Sequence, residues 1–165
     1  SDVCSSDLNN WSRQPGRSSR QWLEYNRKQG MYRVSKSVSF CYGHRLLNYQ
    51  GKCRHLHGHN ARAVITLESD RLDERGMVED FTAVKQLVWD WLDSEIDHTL
   101  LLHEEDPILP VLEKAGERVR IMKDNPTAEN IARMIFEFVD GKGYPVVEVS
   151  LWETDSSLAS YSRGD

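Results

Sequence analysis

Four of the chain's six histidines lie close together, in the stretch from His44 to His59. His57 and His59 form a His-x-His pair, and alternate residues of an extended strand project from one face, so both imidazoles can reach one metal ion. His44 ends the preceding predicted strand and is the nearest third ligand. Three neutral nitrogens with one open position are typical of a catalytic zinc site. The spacing therefore predicts Zn²⁺ held by His44, His57 and His59.

Neighbouring residues leave alternatives to this ligand set open. His55 has the same parity as the His-x-His pair, so spacing does not exclude it. Cys53 or Cys41 could instead complete a closed structural zinc site. Cys53 lies at the edge of the predicted metal site, where the cation and Arg54 would favour a thiolate that acts as base or nucleophile. Alternatively, Cys53 is a small buried thiol without a chemical role. For Cys41 we prefer this second interpretation.

Two carboxylates are also placed where they could do chemistry. Asp97-His98 follows the first predicted helix, and a histidine beside a carboxylate can act as a general acid or base. Glu153 has the core-facing parity of a predicted strand, and a charge that faces a core must be paired or bind a ligand. A structural ion pair is one interpretation of Glu153. The other is a carboxylate that accepts two hydrogen bonds from the N–C–N edge of a pterin or a guanine.

Strands that position these residues follow from alternating hydrophobicity. Residues 34–40 and 60–68 alternate with period two and predict an antiparallel pair, the first strand of which ends near His44. Val147, Val149 and Leu151 share the predicted face of Glu153 in a further strand, and residues 158–161 pair back after a turn. The apolar residues from Val119 to Met122 indicate another short strand.

Two amphipathic helices are predicted between these strands. Apolar residues at helical spacing place the first from about Asp80 to Ile96, and residues 108–112 indicate one further helical turn. The second begins within residues 125–129, where Asn125 suits the cap and Pro126 the first turn, and it ends at a glycine, 141 or 143. The order hairpin, helix, helix, hairpin predicts an α+β fold with an antiparallel sheet.

Composition limits the class of protein. The 165 residues, 39% of them hydrophobic, predict one compact domain in residues 31–165, and no apolar run approaches the ~18–20 residues of a membrane span. A net charge of −5 argues against nucleic acid as a partner. Three cysteines, an odd number, indicate a reducing cytoplasm. Residues 1–30 are polar and predict a peripheral extension, whose first eight residues resemble translated sequencing adapter, so Cys4 carries no argument.

The chain resembles the 6-pyruvoyltetrahydropterin synthase / 6-carboxytetrahydropterin synthase family in six ordered motifs across residues 31–161. These are Phe40-x-x-x-His44, Cys53-x-x-x-His57-Gly58-His59-Asn60, Gly76-Met77-Val78-x-Asp80-Phe81, Asp97-His98, Pro126-Thr127-Ala128-Glu129-Asn130 and Glu153-Thr154. The family has the tunnelling fold, a four-stranded antiparallel sheet with two helices on one face. Its trimeric barrels stack as hexamers, so the resemblance implies a homo-oligomer with active sites at subunit interfaces.

The resemblance also implies the role of each site residue. It implies that His44, His57 and His59 hold zinc and that Cys53 is the proton acceptor. It also implies that Asp97 and His98 complete the proton-transfer set, that Glu153 anchors the pterin, and that Thr127 contacts substrate. The chain departs from the family at Phe40-Cys41-Tyr42-Gly43-His44, where small residues are usual, and in the leucine run after Asp97-His98, where an asparagine is usual. These departures affect the shape of the pocket.

The three-residue gap between Cys53 and His57 resembles the carboxytetrahydropterin branch, which serves queuosine and deazapurine biosynthesis. This implies conversion of 7,8-dihydroneopterin triphosphate to 6-carboxytetrahydropterin, acetaldehyde and triphosphate, with Arg45, Lys52 and Arg54 as candidates for binding the triphosphate. The alternatives are a 6-pyruvoyltetrahydropterin synthase or related dihydroneopterin lyase and, from another class, a non-catalytic zinc-stabilised oligomeric binding module.

Overall fold

The computed structural model describes residues 30–164. Its elements are β1 (Tyr32–His44), β2 (His57–Ser69), α1 (Phe81–Glu95), β3 (Thr99–His103), α2 (Leu109–Ala115), β4 (Val119–Met122), α3 (Ala128–Gly141), β5 (Val146–Thr154) and β6 (Ser157–Ser162). A 3-10 turn, Lys52–Arg54, lies between β1 and β2. The predicted extension of residues 1–30 lies outside the described residues apart from Gly30, and it stays a prediction.

All six strands belong to one mixed sheet, in the order β4-β3-β1-β2-β5-β6. β1, β2, β5 and β6 form an antiparallel series, while β3 runs parallel to both β1 and β4. The predicted α+β class is confirmed. The prediction of a four-stranded antiparallel sheet with two helices is wrong, because residues 30–164 contain six strands and three helices.

The strand that was not predicted, β3, contains the apolar run of Leu100, Leu101 and Leu102. Leu101 and Leu102 are both fully buried, so the strand has no alternation of polar and apolar residues to detect. The short strand predicted at residues 119–122 is confirmed as β4 and pairs with β3. The helical turn predicted at residues 108–112 overlaps the start of α2.

Helices α1 and α3 cover one face of the sheet. The core contains Val84, Val88 and Leu92 of α1, Ile131, Ile135 and Val139 of α3, and the strand residues Val38, Phe40, Ala61, Ala63, Ile65, Val149 and Leu151. Asp80 caps α1 as predicted, because its side chain accepts a hydrogen bond from the Thr82 amide at 2.7 Å. The two helices meet through a stacked pair of rings, Trp91 and Phe138, with centroids 4.5 Å apart.

The start of α3 differs from the prediction. Thr127 is its N-cap, so Pro126 lies before the helix instead of in its first turn. Asn125 has a different role: its side chain accepts a hydrogen bond from the Leu47 amide at 2.7 Å and donates one to the Leu47 carbonyl at 3.0 Å. Asn125 therefore fixes the loop that follows β1 to the start of α3.

The prediction that Val147 of β5 shares the core-facing side of its strand with Val149 and Leu151 is wrong. Leu67 pairs with Val146 while Thr66 pairs with Glu148, so Val147 is an extra residue in β5, a β-bulge. Val146 is buried in the core in place of Val147, which is half-buried. Beyond the bulge the predicted alternation is regained.

A buried ion pair joins the end of β1 to the β3–α2 connection. Arg45 Nε donates to Asp106 Oδ2 at 2.7 Å, Arg45 Nη2 contacts Oδ1, and the Ile108 amide donates to Oδ1 at 3.0 Å. The Asp106 side chain is 0% exposed. Burial alone would raise the pKa of Asp106, but the hydrogen bonds from Arg45 and Ile108 outweigh it and lower the pKa. Arg45, a candidate for triphosphate binding, thus has a structural partner.

This ion pair should stabilise the fold in a pH-dependent way. We expect Asp106→Ala to lower the free energy of unfolding at neutral pH by ~2–4 kcal/mol, below the full cost of breaking a wholly buried pair, since the half-buried guanidinium of Arg45 and the Ile108 amide lose their partner. Because the folded-state pKa of Asp106 is depressed, the stabilisation is present above its ordinary pKa and is lost as pH falls through the lowered value. Denaturant titrations between neutral and acidic pH would measure both effects.

The matched control is Asp124, whose pair with Arg133 is exposed. Asp124→Ala should cost only ~0–1 kcal/mol at neutral pH. A loss for Asp106→Ala no larger than that of the control would contradict the prediction.

Candidate active site

The three histidines predicted as metal ligands converge at the end of the β1–β2 pair. His44 lies directly opposite His57, and His59 lies opposite Tyr42, so all three imidazoles share a face. His44 Nε2 is 3.0 Å from His57 Nε2 and 3.2 Å from His59 Nε2. Two nitrogens bound to one tetrahedral zinc ion lie ~3.3 Å apart, given Zn–N bonds of ~2.0–2.1 Å. The spacing of these atoms therefore suits a shared metal ion.

Backbone carbonyls orient two of the three rings. His44 Nδ1 donates to the Pro126 carbonyl at 2.6 Å, and His57 Nδ1 donates to the His55 carbonyl at 2.8 Å. A donating Nδ1 leaves a lone pair on Nε2, which is the tautomer that a metal ligand needs. Burial lowers the pKa of His44, which favours its neutral form. His55, the open alternative ligand, is exposed and supplies its carbonyl to His57.

A pair of glycines keeps the histidine-bearing strands close together. Gly43 and Gly58 are register partners, and each lies beside a ligand histidine in the sequence. A Cβ at Gly58 would lie 3.1 Å from the Tyr42 carbonyl oxygen, and one at Gly43 would lie 2.6 Å from Leu100 Cδ2. The absence of side chains at both positions allows the neighbouring strands to approach β1.

Glu153 lies beside the histidines and is held by a tyrosine. Its Oε1 is 3.6 Å from Nε2 of both His44 and His59, and it accepts a hydrogen bond from the Tyr42 hydroxyl at 2.8 Å. Burial, together with the negative charge of Glu153, raises the pKa of Tyr42. Tyr42 was not predicted as a site residue. Its signal was the large side chain where small residues are usual.

A cavity of about 320 Å³ brings several predicted site residues together. His44, Cys53, Thr127 and Glu153 line it, together with Tyr49, which was not predicted as a site residue. Cys53 lies on the 3-10 turn, whose position is fixed by a 2.8 Å hydrogen bond from the Leu46 amide to the Cys53 carbonyl. A thiol, a carboxylate and one ligand of the candidate metal site therefore face the same space.

His98 lies at a second cavity, of about 570 Å³, which His57 and His59 also line, and Asp97 is bound to His98. Asp97 is buried, and its Oδ2 accepts a hydrogen bond from His98 Nδ1 at 2.6 Å. Its Oδ1 accepts one from the Cys41 amide at 2.8 Å. Burial would raise the pKa of Asp97, but these hydrogen bonds outweigh it and lower the pKa. Asp97 therefore stays ionised and orients His98.

Cys53 and His98 line different cavities. Cys53 lines the smaller cavity with His44, whereas His98 lines the larger one with His57 and His59. The histidine cluster thus has one member at the first cavity and two at the second.

Fold and site together define a class of protein: a small α+β domain whose mixed sheet carries three convergent histidines and a nearby carboxylate. The family described as 6-pyruvoyl tetrahydropterin synthase matches residues 33–164, and the chain belongs to it. The prediction that the chain is an enzyme, a lyase of this family, is confirmed by that match and by its relatives.

Similar proteins include 6-carboxy-5,6,7,8-tetrahydropterin synthase of Rickettsia bellii, 37% identical over 131 residues, which are 75% of this chain and 95% of that one. The enzyme of the same name from Aquifex aeolicus is 33% identical over 160 residues, covering 80% and 98%. An uncharacterized protein from Wolinella succinogenes has a similar structure, with TM-score 0.68, 26% identity and coverage of 82% and 99%.

Caenorhabditis elegans 6-pyruvoyl tetrahydropterin synthase has a TM-score of 0.62 at 22% identity, covers 82% of this chain and 98% of its own, and shares the fold.

Within residues 30–164, no helix is long and apolar enough to cross a membrane.

The histidine geometry predicts which residues hold a metal ion. We expect His57→Ala and His59→Ala to lower zinc affinity by more than the ~10–100-fold that is typical when only a residue hydrogen-bonded to a ligand is lost. His55→Ala is the matched control, because only its backbone carbonyl contacts His57. Zinc content after dialysis against a competing chelator would measure the difference. Equal losses from His55→Ala and His57→Ala would contradict this ligand set.

Proposed function

We propose that the chain is a zinc-dependent 6-carboxy-5,6,7,8-tetrahydropterin synthase. It would convert 7,8-dihydroneopterin triphosphate and water to 6-carboxytetrahydropterin, acetaldehyde and triphosphate. The observation that carries the proposal is the smaller cavity, where His44, Cys53 and Glu153 meet. Two findings favour the carboxy branch: the names of the relatives, among them that of Rickettsia bellii, and the three-residue gap between Cys53 and His57.

The reaction balances without an external oxidant or reductant. The side-chain carbon attached to the ring becomes the carboxyl carbon, and water supplies its second oxygen. The two outer carbons leave as acetaldehyde, triphosphate departs from the last of them, and the ring gains two hydrogens. The oxidation of one carbon is therefore matched by reductions within the same molecule, and the protein has to move protons and hold geometry.

We assign Zn²⁺ to His44, His57 and His59. When bound, the ion would act as a Lewis acid that polarises the side-chain oxygens of the substrate and acidifies the adjacent C–H bonds. The Nδ1 hydrogen bonds of His44 and His57 to backbone carbonyls support this assignment, because they keep both Nε2 atoms free to ligate.

Cys53 and Glu153 have complementary roles at the smaller cavity. The Cys53 thiolate would remove a proton from the substrate side chain. Glu153 would accept two hydrogen bonds from the N–C–N edge of the pterin ring, which holds the side chain over the metal ligands. The Tyr42 hydroxyl already donates to Oε1 and so orients this carboxylate before substrate arrives. Thr127, on the same wall, would contact the substrate.

His98 would return protons as triphosphate leaves and the side chain is cleaved. Its Nδ1 is bound to Asp97, so Nε2 is the nitrogen that exchanges protons. Because Cys53 and His98 line different cavities, we propose that a neighbouring copy supplies its His98 to the Cys53 cavity. This supports a homo-oligomer, a hexamer by resemblance. We place the enzyme in the cytoplasm, in queuosine biosynthesis, where the free thiols of Cys41 and Cys53 would stay reduced.

The reaction itself is tested by incubating zinc-loaded protein with 7,8-dihydroneopterin triphosphate and measuring products by mass spectrometry. We expect 6-carboxytetrahydropterin and acetaldehyde in equal amounts. A pyruvoyl product would overturn the branch assignment and keep the family. Absence of turnover with metal bound would favour the non-catalytic binding module.

The role of Cys53 is tested separately from metal binding. We expect Cys53→Ala to lower kcat by ~10²–10⁴-fold, because the base is lost. Its zinc content should equal that of the unmodified chain, since the three histidines remain. Undiminished turnover would remove Cys53 from the mechanism, whereas loss of zinc would make it a ligand.

A further inference from the structure

A second group of metal-ligating side chains lies apart from the histidine cluster. One donor atom from each of Cys41, Asp97 and His98 lies within 4.8 Å of the other two. Cys41 Sγ is 3.5 Å from His98 Nδ1 and 3.6 Å from Nε2, and Asp97 Oδ2 is 2.6 Å from His98 Nδ1. In the part of the chain that the structure describes, this and the three histidines are the two groups of this kind.

The distances within this group suit one tetrahedral cation. With a Zn–S bond of ~2.3 Å and a Zn–N bond of ~2.0–2.1 Å, sulfur and nitrogen ligands lie ~3.5 Å apart, close to the observed separation. The corresponding N···O separation is ~3.3 Å, so the His98 ring must move away from Asp97 by ~0.7 Å. The His98 side chain is 76% exposed in the single chain, so its ring has room there for this shift.

Backbone contacts hold the donors in place before any ion binds. The Cys41 amide donates to Asp97 Oδ1 at 2.8 Å, and the His98 amide donates to the Cys41 carbonyl at 2.9 Å. Asp97 Oδ1 is therefore occupied by the Cys41 amide, while Oδ2 contacts His98. His98 has a φ of 55°, in the left-handed region. A histidine held in this strained conformation is typical of functional sites.

We propose that Cys41, Asp97 and His98 form a second site, for a borderline divalent cation such as Zn²⁺. A thiolate, an imidazole and a carboxylate, with water as fourth ligand, are a zinc donor set, and the thiolate disfavours Mg²⁺ and Ca²⁺. Binding would release the thiol proton to solvent. The proton on His98 Nδ1 would move to Nε2, so that Nδ1 can ligate.

One consequence rests on the proposed function. An ion at this second site would engage His98 and so withdraw it from proton transfer. Zinc beyond the first equivalent should therefore inhibit turnover, and inhibition should depend on Cys41.

Cobalt is the probe that separates the two sites. A thiolate bound to Co²⁺ gives a near-ultraviolet charge-transfer band, which three imidazoles do not give. The experiment uses the full chain with Cys4→Ser, which leaves Cys41 and Cys53 as its thiols. We expect the band to appear with the second equivalent of Co²⁺, to vanish in Cys41→Ser, and to persist in Cys53→Ser and in His57→Ala.

Absence of the band, or its loss in Cys53→Ser with retention in Cys41→Ser, would overturn the proposal. Circular dichroism melting curves verify that each variant is folded. No pterin is present, so failure of the proposed reaction leaves this test unaffected. A second readout compares turnover at excess zinc with turnover at one equivalent of zinc. With Cys41 present, excess zinc should lower turnover by ~10²-fold or more. In Cys41→Ser, the two rates should be nearly equal.

Discussion

The register of β1 against β2 is the constraint on which the candidate site depends. It sets His44 opposite His57 and places His59 on the same face. A slip of one residue would move every side chain of β2 to the other face and separate the three Nε2 atoms. The same alternation buries Phe40 and Ala61 as cross-strand partners, so the core that stabilises the fold also fixes the positions of the histidines.

The histidine cluster brings potential ligand atoms close together. His44 Nε2 lies 3.0 Å from His57 Nε2 and 3.2 Å from His59 Nε2, and Glu153 Oε1 lies 3.6 Å from Nε2 of His44 and of His59. His44 and His57 both donate through Nδ1, so in their neutral forms their Nε2 lone pairs face each other at the first of these distances. A divalent cation would turn this repulsion into ligation. The Tyr42 hydroxyl meanwhile donates to Oε1, the carboxylate oxygen that lies 3.6 Å from Nε2 of His44 and His59.

Residues whose role depends on local periodicity could be predicted from the sequence. Residues whose role depends on contacts with residues far away in the sequence could not. Strand parity paired His57 with His59 but left His55 open, and helical spacing located α1 and its start at Asp80. The β-bulge at Val147 depends on how β5 pairs with β2, and Asn125 is diverted from capping by Leu47, which is far away in the sequence. The link from Tyr42 to Glu153 spans 111 residues, beyond any local pattern.

The pairing of β1 with β3 explains how one strand serves two sets of donors. Along β1, Cys41 has the opposite parity from Tyr42 and His44. The parallel ladder begins where Tyr42 meets Thr99, so the residues just before it, Cys41 and His98, join through the hydrogen bond from the His98 amide. The histidine cluster depends on β2 and the Asp97-His98 group depends on β3. A change that displaces β3 should therefore alter His98 and leave the three histidines in register, which makes the two groups separable by mutation.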